Sequence, residues 1–151
     1  MNKLLALLLL SPLAFAEKNE MISLTEYFEN LGDNPGNPEM LYVTYRCVGL
    51  YGMMYGLLED SQQEGVKETL NGIEELNKTV IAISQILYNN ITPEGERDFQ
   101  DNLIRSVRPI ADNYQKEANE SWTNTGNYLN DYIMGDTDVC RMVANFNKDL
   151  D

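Results

Sequence analysis

The chain contains no histidine. That absence excludes Ser-His-Asp and Cys-His catalysis, histidine-ligated haem, the usual His-rich zinc sites and di-iron bundle sites built on Glu-x-x-His. Cysteine is scarce: Cys47 and Cys140 are the two in 151 residues, and neither sits in the C-x-x-C motif of a redox centre. Basic residues are few as well, with 11 Lys and Arg against 24 Asp and Glu, a formal charge of −13. This balance denies the chain the broad basic surface on which nucleic-acid binding depends, and it repels anionic lipid headgroups. There is no internal repeat, no low-complexity tract and no convincing alternating strand pattern. Nor is there a phosphate-cradling glycine loop, because Gly49, Gly52 and Gly56 fall inside a predicted helix and not between a strand and a helix.

What is present starts with a leader. Lys3, an apolar run from Leu4 to Leu10, the break Ser11-Pro12 and the small-x-small end Ala14-Phe15-Ala16 predict a cleavable secretory signal peptide over residues 1–16. The run is far shorter than the roughly 20 residues that span a bilayer, and no cysteine adjoins the cleavage site to accept a lipid. The expectation is an exported protein, periplasmic or extracellular, that begins at Glu17. Losing Lys3 and no acid takes the charge to −14. Acidity of that size serves solubility first, and it favours cationic partners. Export carries Cys47 and Cys140 into an oxidising compartment, where two lone cysteines are expected to pair. The bridge would close most of the mature chain, worth on the order of 4 kcal/mol in the loop-entropy model.

Residues 17–36 form an N-terminal segment, a short helix or partly ordered, with Ile22, Leu24, Tyr27, Phe28 and Leu31 at amphipathic spacing. Gly32-Asp33-Asn34-Pro35-Gly36 stops it. Residues 37–151 read as the helical domain. Asn37-Pro38-Glu39 combines a cap, a first-turn proline and an acid at the positive end of the dipole, and predicts a helix to about Asp60. Met40, Val43, Cys47, Leu50, Met54 and Leu58 form one stripe, and Gly49, Gly52 and Gly56 with Tyr42 and Tyr45 lie opposite, so this is the expected central helix. Arg46 is its one charge between Met40 and Leu58. A central arginine costs a membrane span roughly 2.5 to 3.5 kcal/mol, so stable insertion is not expected. A second, ordinary amphipathic helix is predicted from about Gln63 to Asn90. Thr92-Pro93-Glu94 repeats the start signal for a third, which Pro109 should kink or split. Thr123 to Asn127 reads as a loop, Tyr128 to Met134 as a short helical piece ending at Gly135, and Asp136 or Thr137 as the cap of a last helix bearing Val139, Cys140, Met142, Val143 and Phe146. The predicted fold is all-α, an up-and-down bundle of about four helices around a Gly/Tyr-rich central one, with one disulfide.

The glycine row is the most informative feature. Each glycine costs a helix up to about 1 kcal/mol relative to alanine, so something must approach that face. The first expectation is close packing of another helix against it, under which Gly52→Leu would cost about 1 to 3 kcal/mol by overpacking. The alternative is a ligand groove floored by Gly49, Gly52 and Gly56 and walled by Tyr42, Tyr45 and Arg46.

Carboxylate chemistry needs no histidine, and acid pairs with tyrosines and Trp122 would suit a glycan hydrolase, yet no pair has diagnostic spacing. Asp101 with Arg105 and Arg108 with Asp112 read as i,i+4 surface pairs. Asp33-Asn34-Pro35-Gly36-Asn37 lacks the order of an EF-hand loop, and Asp136-Thr137-Asp138 is explained by capping, so no metal and no cofactor are expected. The short leader is of bacterial type, so the sequons at Asn77, Asn90 and Asn119 are expected to stay unmodified.

Cys47, Cys140 and the dipeptide Asn145-Phe146 loosely resemble the small exported acid-stress chaperones of the periplasm, which are helical with a single disulfide. The likeness covers those four residues. It implies holdase activity on unfolding at low pH, triggered by neutralisation of many acids. The residues themselves lead to a non-enzymatic binding module for a cationic protein or a small ligand. A chaperone-like stress role is the alternative, and a carboxylate hydrolase the third.

Overall fold

A computed structural model describes residues 21–146; the expected signal peptide over residues 1–16 lies outside the described residues. Within them the chain is all-α, with five helices, no strand and a Cys47–Cys140 disulfide. The helices are α1 (Leu24–Leu31), α2 (Asn37–Leu58), α3 (Val66–Ile91), α4 (Phe99–Thr125) and α5 (Asp131–Asn145), with one 3-10 turn (Glu94–Glu96) between α3 and α4.

Side chains on this sequence set the helix ends. Ser23 starts α1 by accepting a hydrogen bond from the Glu26 amide at 3.1 Å, and Gly32 ends it at a φ of 73°, the left-handed conformation that glycine takes without strain. Pro38 and Glu39 occupy the first turn of α2, as their chemistry requires. The signal at Thr92-Pro93-Glu94, expected to open the third long helix, opens the 3-10 turn instead. Arg97 donates back to the carbonyls of Thr92 at 3.0 Å and Asn89 at 2.9 Å, so its side chain caps α3 while its extended backbone interrupts the chain. Helix α4 therefore starts at Phe99, capped by Asp98, which accepts from the Asp101 amide at 3.1 Å.

Pro109 does not split α4. The helix continues across it, with Phe99, Leu103 and Val107 packed on the core before the proline and Ile110, Tyr114 and Ala118 buried after it. The expected loop at Thr123–Asn127 falls later: α4 runs to Thr125, Gly126 stops it, also at a φ of 73°, and residues 126–130 connect it to α5, so the helical piece expected from Tyr128 starts at Asp131. The expected break at Gly135 and cap at Asp136 or Thr137 do not form either. Asn130 caps α5 by accepting from the Ile133 amide at 2.9 Å, and the helix runs through Gly135 because Asp136 is drawn into the interior.

Helix α2 packs against α3, α4 and α5, and α1 packs on α5. Val43, Cys47, Leu50 and Tyr51 of α2, Val80 of α3, Tyr114 and Ala118 of α4, and Ile133 and Cys140 of α5 form the centre of the core. Close packing along the whole glycine row is not found. A Cβ on Gly49 would lie 2.8 Å from Ile110 Cγ2 and 3.1 Å from the Ala111 amide nitrogen, so α4 crosses closely there. At Gly52 and Gly56 a Cβ would meet nothing within 4 Å. Those two glycines face open space, so the overpacking expected of Gly52→Leu has no neighbour to act against. No described helix is long and apolar enough to cross a membrane.

Candidate functional site

Two sites converge on α1 and α5, one polar and sealed, the other apolar and open. In the first, Arg46 of α2 and Asp136 of α5 form an ion pair at 2.5 Å with both side chains fully buried. Arg46 also donates to the Tyr114 hydroxyl at 3.0 and 3.2 Å and to the Tyr132 hydroxyl at 2.9 Å, and its guanidinium carbon lies 5.6 Å from the centre of the Tyr114 ring. Tyr114 in turn donates to Asp136 Oδ2 at 2.5 Å. Two further bonds go to the backbone of the N-terminal segment: Arg46 Nη1 donates to the Ile22 carbonyl and the Leu24 amide donates to Asp136 Oδ1, each at 2.6 Å. A buried ion pair repays its desolvation only when its remaining hydrogen-bonding capacity is filled. Here the fillers are two tyrosines and the start of α1.

Burial pushes the Tyr114 hydroxyl well above its ordinary value of 10.0, with Arg46 opposing and Asp136 adding to the shift. The same causes push Tyr132 up to about 12. Burial alone pulls Arg46 down, but the oxygens of Tyr114 and Asp136 outweigh it and hold the guanidinium charged, above its usual range. Shielded from solvent, Arg46, Asp136 and Tyr114 clamp α2, α4 and α5 to one another and to the start of α1. Cys47, next to Arg46, and Cys140, one helical turn beyond Asp136, bridge the same two helices, with their Cα atoms 5.3 Å apart.

The open site is an apolar groove of about 550 Å³ between α1 and α5. Thr25, Phe28 and Glu29 of α1 line one side, Val139, Met142, Val143 and Phe146 the other, with Met40 of α2 and Ile83 of α3 completing it. The α5 residues follow i, i+3, i+4, i+7 spacing, which makes a continuous seam along that helix. The core face of α5, carrying Ile133, Asp136, Thr137, Cys140 and Ala144, lies roughly 120° around it at about 100° per residue. The apolar surface of helix α5 thus extends past its core face: Val139 is buried and Val143 packs on the core at the inner edge of the seam, while Met142 and Phe146 form its outer edge. In the seam Met142 is 65% and Phe146 70% exposed.

The six residues Gly49, Gly52, Gly56, Tyr42, Tyr45 and Arg46 do not come together as one groove. Gly49 is closed by α4, Gly52 and Gly56 are open, and Arg46 is in the clamp. Tyr45 is buried and donates to Asn102 Oδ1 at 2.6 Å; burial, with Tyr88 adding, pushes its hydroxyl up to about 12. Tyr42 packs its ring 4.9 Å from that of Tyr27, which ties α1 to α2. Only Tyr42 and Tyr45 share a surface hollow, with Pro38, Asn102, Pro109 and Ile110 among its other walls. Of the expected surface pairs, Asp101–Arg105 forms. Among the described residues, no group of three or more Cys, Asp or Glu side chains converges as a metal site.

Sequence reasoning missed both features. It took Asp136 or Thr137 for a cap and gave the last helix Val139, Cys140, Met142, Val143 and Phe146 without dividing them between a core face and an exposed one. The available signal was the width of the stripe: Met142 and Phe146 are too far round the helix from Ile133, Cys140 and Ala144 to share one face with them. Compared with protein-family models, with curated proteins and with solved structures, the chain matches none.

Proposed function

We propose that this is an exported, non-enzymatic binding module whose working surface is the apolar groove between α1 and α5. The observation that carries this reading is the outer edge of the α5 seam, with Met142 and Phe146 largely exposed above a groove whose volume lies in the range of ligand sites, roughly 300 to 1,000 Å³. Its scaffold is read as an up-and-down bundle of α2, α3, α4 and α5, supported by the contacts of α2 with each of the other three and by the short connections between them. The clamp serves the same purpose, since it fixes the start of the helix that forms one wall.

Binding of a polarity-sensitive hydrophobic dye to the native protein at neutral pH tests the reading. The double variant Met142→Gln with Phe146→Ser should weaken dye binding about tenfold or more with little effect on melting, because both side chains are already largely exposed. Ile104→Gln removes an equally exposed apolar side chain, 64% accessible but outside the groove, and should leave binding unchanged. Absence of dye binding, or equal loss in both variants, would refute the assignment.

The chaperone-like reading draws on the same methionine-lined groove, since flexible thioether side chains accommodate varied apolar partners. It demands that dye binding rise sharply on acidification. A fixed groove binds the dye at neutral pH already.

A further inference from the structure

Taking the groove as the working surface, we infer that its occupant is a basic amphipathic helix of another protein. Five features of the groove select it. The α5 seam from Val139 to Phe146 covers eight residues, a rise of about 10 Å at 1.5 Å per residue, which matches two turns of a partner helix presenting anchors at i, i+3 or i+4, and i+7.

The walls are helices, and the described residues contain no strand. An extended peptide would therefore find no sheet edge, and its buried amides and carbonyls would go unpaired, whereas a helix satisfies its own backbone. The polar equipment of the groove is one hydroxyl, Thr25, and one carboxylate, Glu29. That is little to orient a small polar molecule. It suits an apolar helix face whose register is set by flanking charges.

The sign of those charges follows from the surroundings. Among the described residues no cation lines the groove, and Arg141, one residue before Met142, is directed at Asp138 at 3.4 Å. In a chain of net charge −13, Glu29 at the groove and Asp138 beside it favour Lys and Arg on the partner. Fatty acids and anionic lipid would be repelled on approach. Phe28, Phe146, Met40 and Met142 supply the aromatic and thioether surface that adapts to such a helix.

Fluorescence anisotropy with two labelled model peptides of about 18 residues, both leucine-faced helices, provides the test on the full mature protein. One carries Lys on its polar face and the other Glu. The Lys peptide is expected to bind, with its Kd rising about tenfold or more in the Met142→Gln, Phe146→Ser variant and several-fold in Glu29→Gln, and rising with salt. The Glu peptide should bind at least tenfold more weakly.

Equal binding of the two peptides would overturn the inference. So would Lys-peptide binding indifferent to the double variant, which would mean attraction to the acidic surface at large. A sedimenting mass that doubles with concentration and reverts to monomer in the double variant would assign the groove to a second copy of this chain and likewise overturn it. If the hydrophobic dye binds the groove and neither peptide does, this inference falls while the binding-module reading stands. If the dye fails too, both fall.

Discussion

Asp136 shows how much one buried carboxylate can carry. It faces Arg46, accepts from Tyr114 and holds the Leu24 amide, so Asp136→Asn would leave the guanidinium charged and uncompensated in the interior. Breaking a buried pair at one end typically costs about 3 to 5 kcal/mol. Thermal or urea unfolding should show a loss of that order, and the double change Asp136→Leu with Arg46→Met should lose less than the two single changes added together. The tyrosines set a second expectation. Tyr45, Tyr51 and Tyr132 are raised by burial to about 12 and Tyr114 is raised further, while the unfolded chain titrates near 10.0. Between those values the native state holds more protons than the unfolded one, so the stability they contribute is complete below about pH 10 and erodes as pH climbs towards 12. Alkaline titration should show the tyrosinate absorbance of these four, the last part of the total from nine tyrosines, appearing together with loss of helix; full tyrosinate absorbance in a still-helical protein would refute this. None of it was visible in sequence, because a lone Arg in an apolar helix and an Asp ninety residues away carry no mark of being partners.

At the scale of elements, the glycine row divides. Gly49→Ala sets a methyl against Ile110 and the Ala111 backbone, where overpacking costs about 1 to 3 kcal/mol and outweighs a helix-propensity gain of about 1 kcal/mol. Gly52→Ala meets nothing and collects that gain. The melting midpoint should fall in the first variant and rise in the second, and a fall in both would mean that a partner covers Gly52. The extents of α2 and α3 and the stop of α1 at Gly32 were legible, since stripe spacing, a first-turn proline and a glycine stop act locally. Where α4 and α5 begin was not. Arg97 bonding back onto α3 and the burial of Asp136 are tertiary effects, and they override the local start signals at Pro93 and Asp136.

For the whole molecule, the disulfide and the acidity set the conditions under which the groove exists. The bridge joins residues 93 apart and is worth about 4 to 5 kcal/mol in the loop-entropy model, a large part of a typical domain's stability of roughly 5 to 15 kcal/mol. Intact mass under native conditions should show the pair oxidised, and reduction should lower the melting point steeply. That the two cysteines pair could be read from their number and the expected export. That their pairing leaves α5 with an exposed apolar edge needed the fold. The central claim is that this edge, with α1, receives a ligand. Amide and methyl chemical-shift mapping during titration with the basic helical peptide tests it most directly. The account predicts that shifts concentrate at Phe28, Glu29, Ile83, Val139, Met142, Val143 and Phe146. Shifts confined to the Gly52–Gly56 face, or spread evenly over the acidic surface, would contradict it.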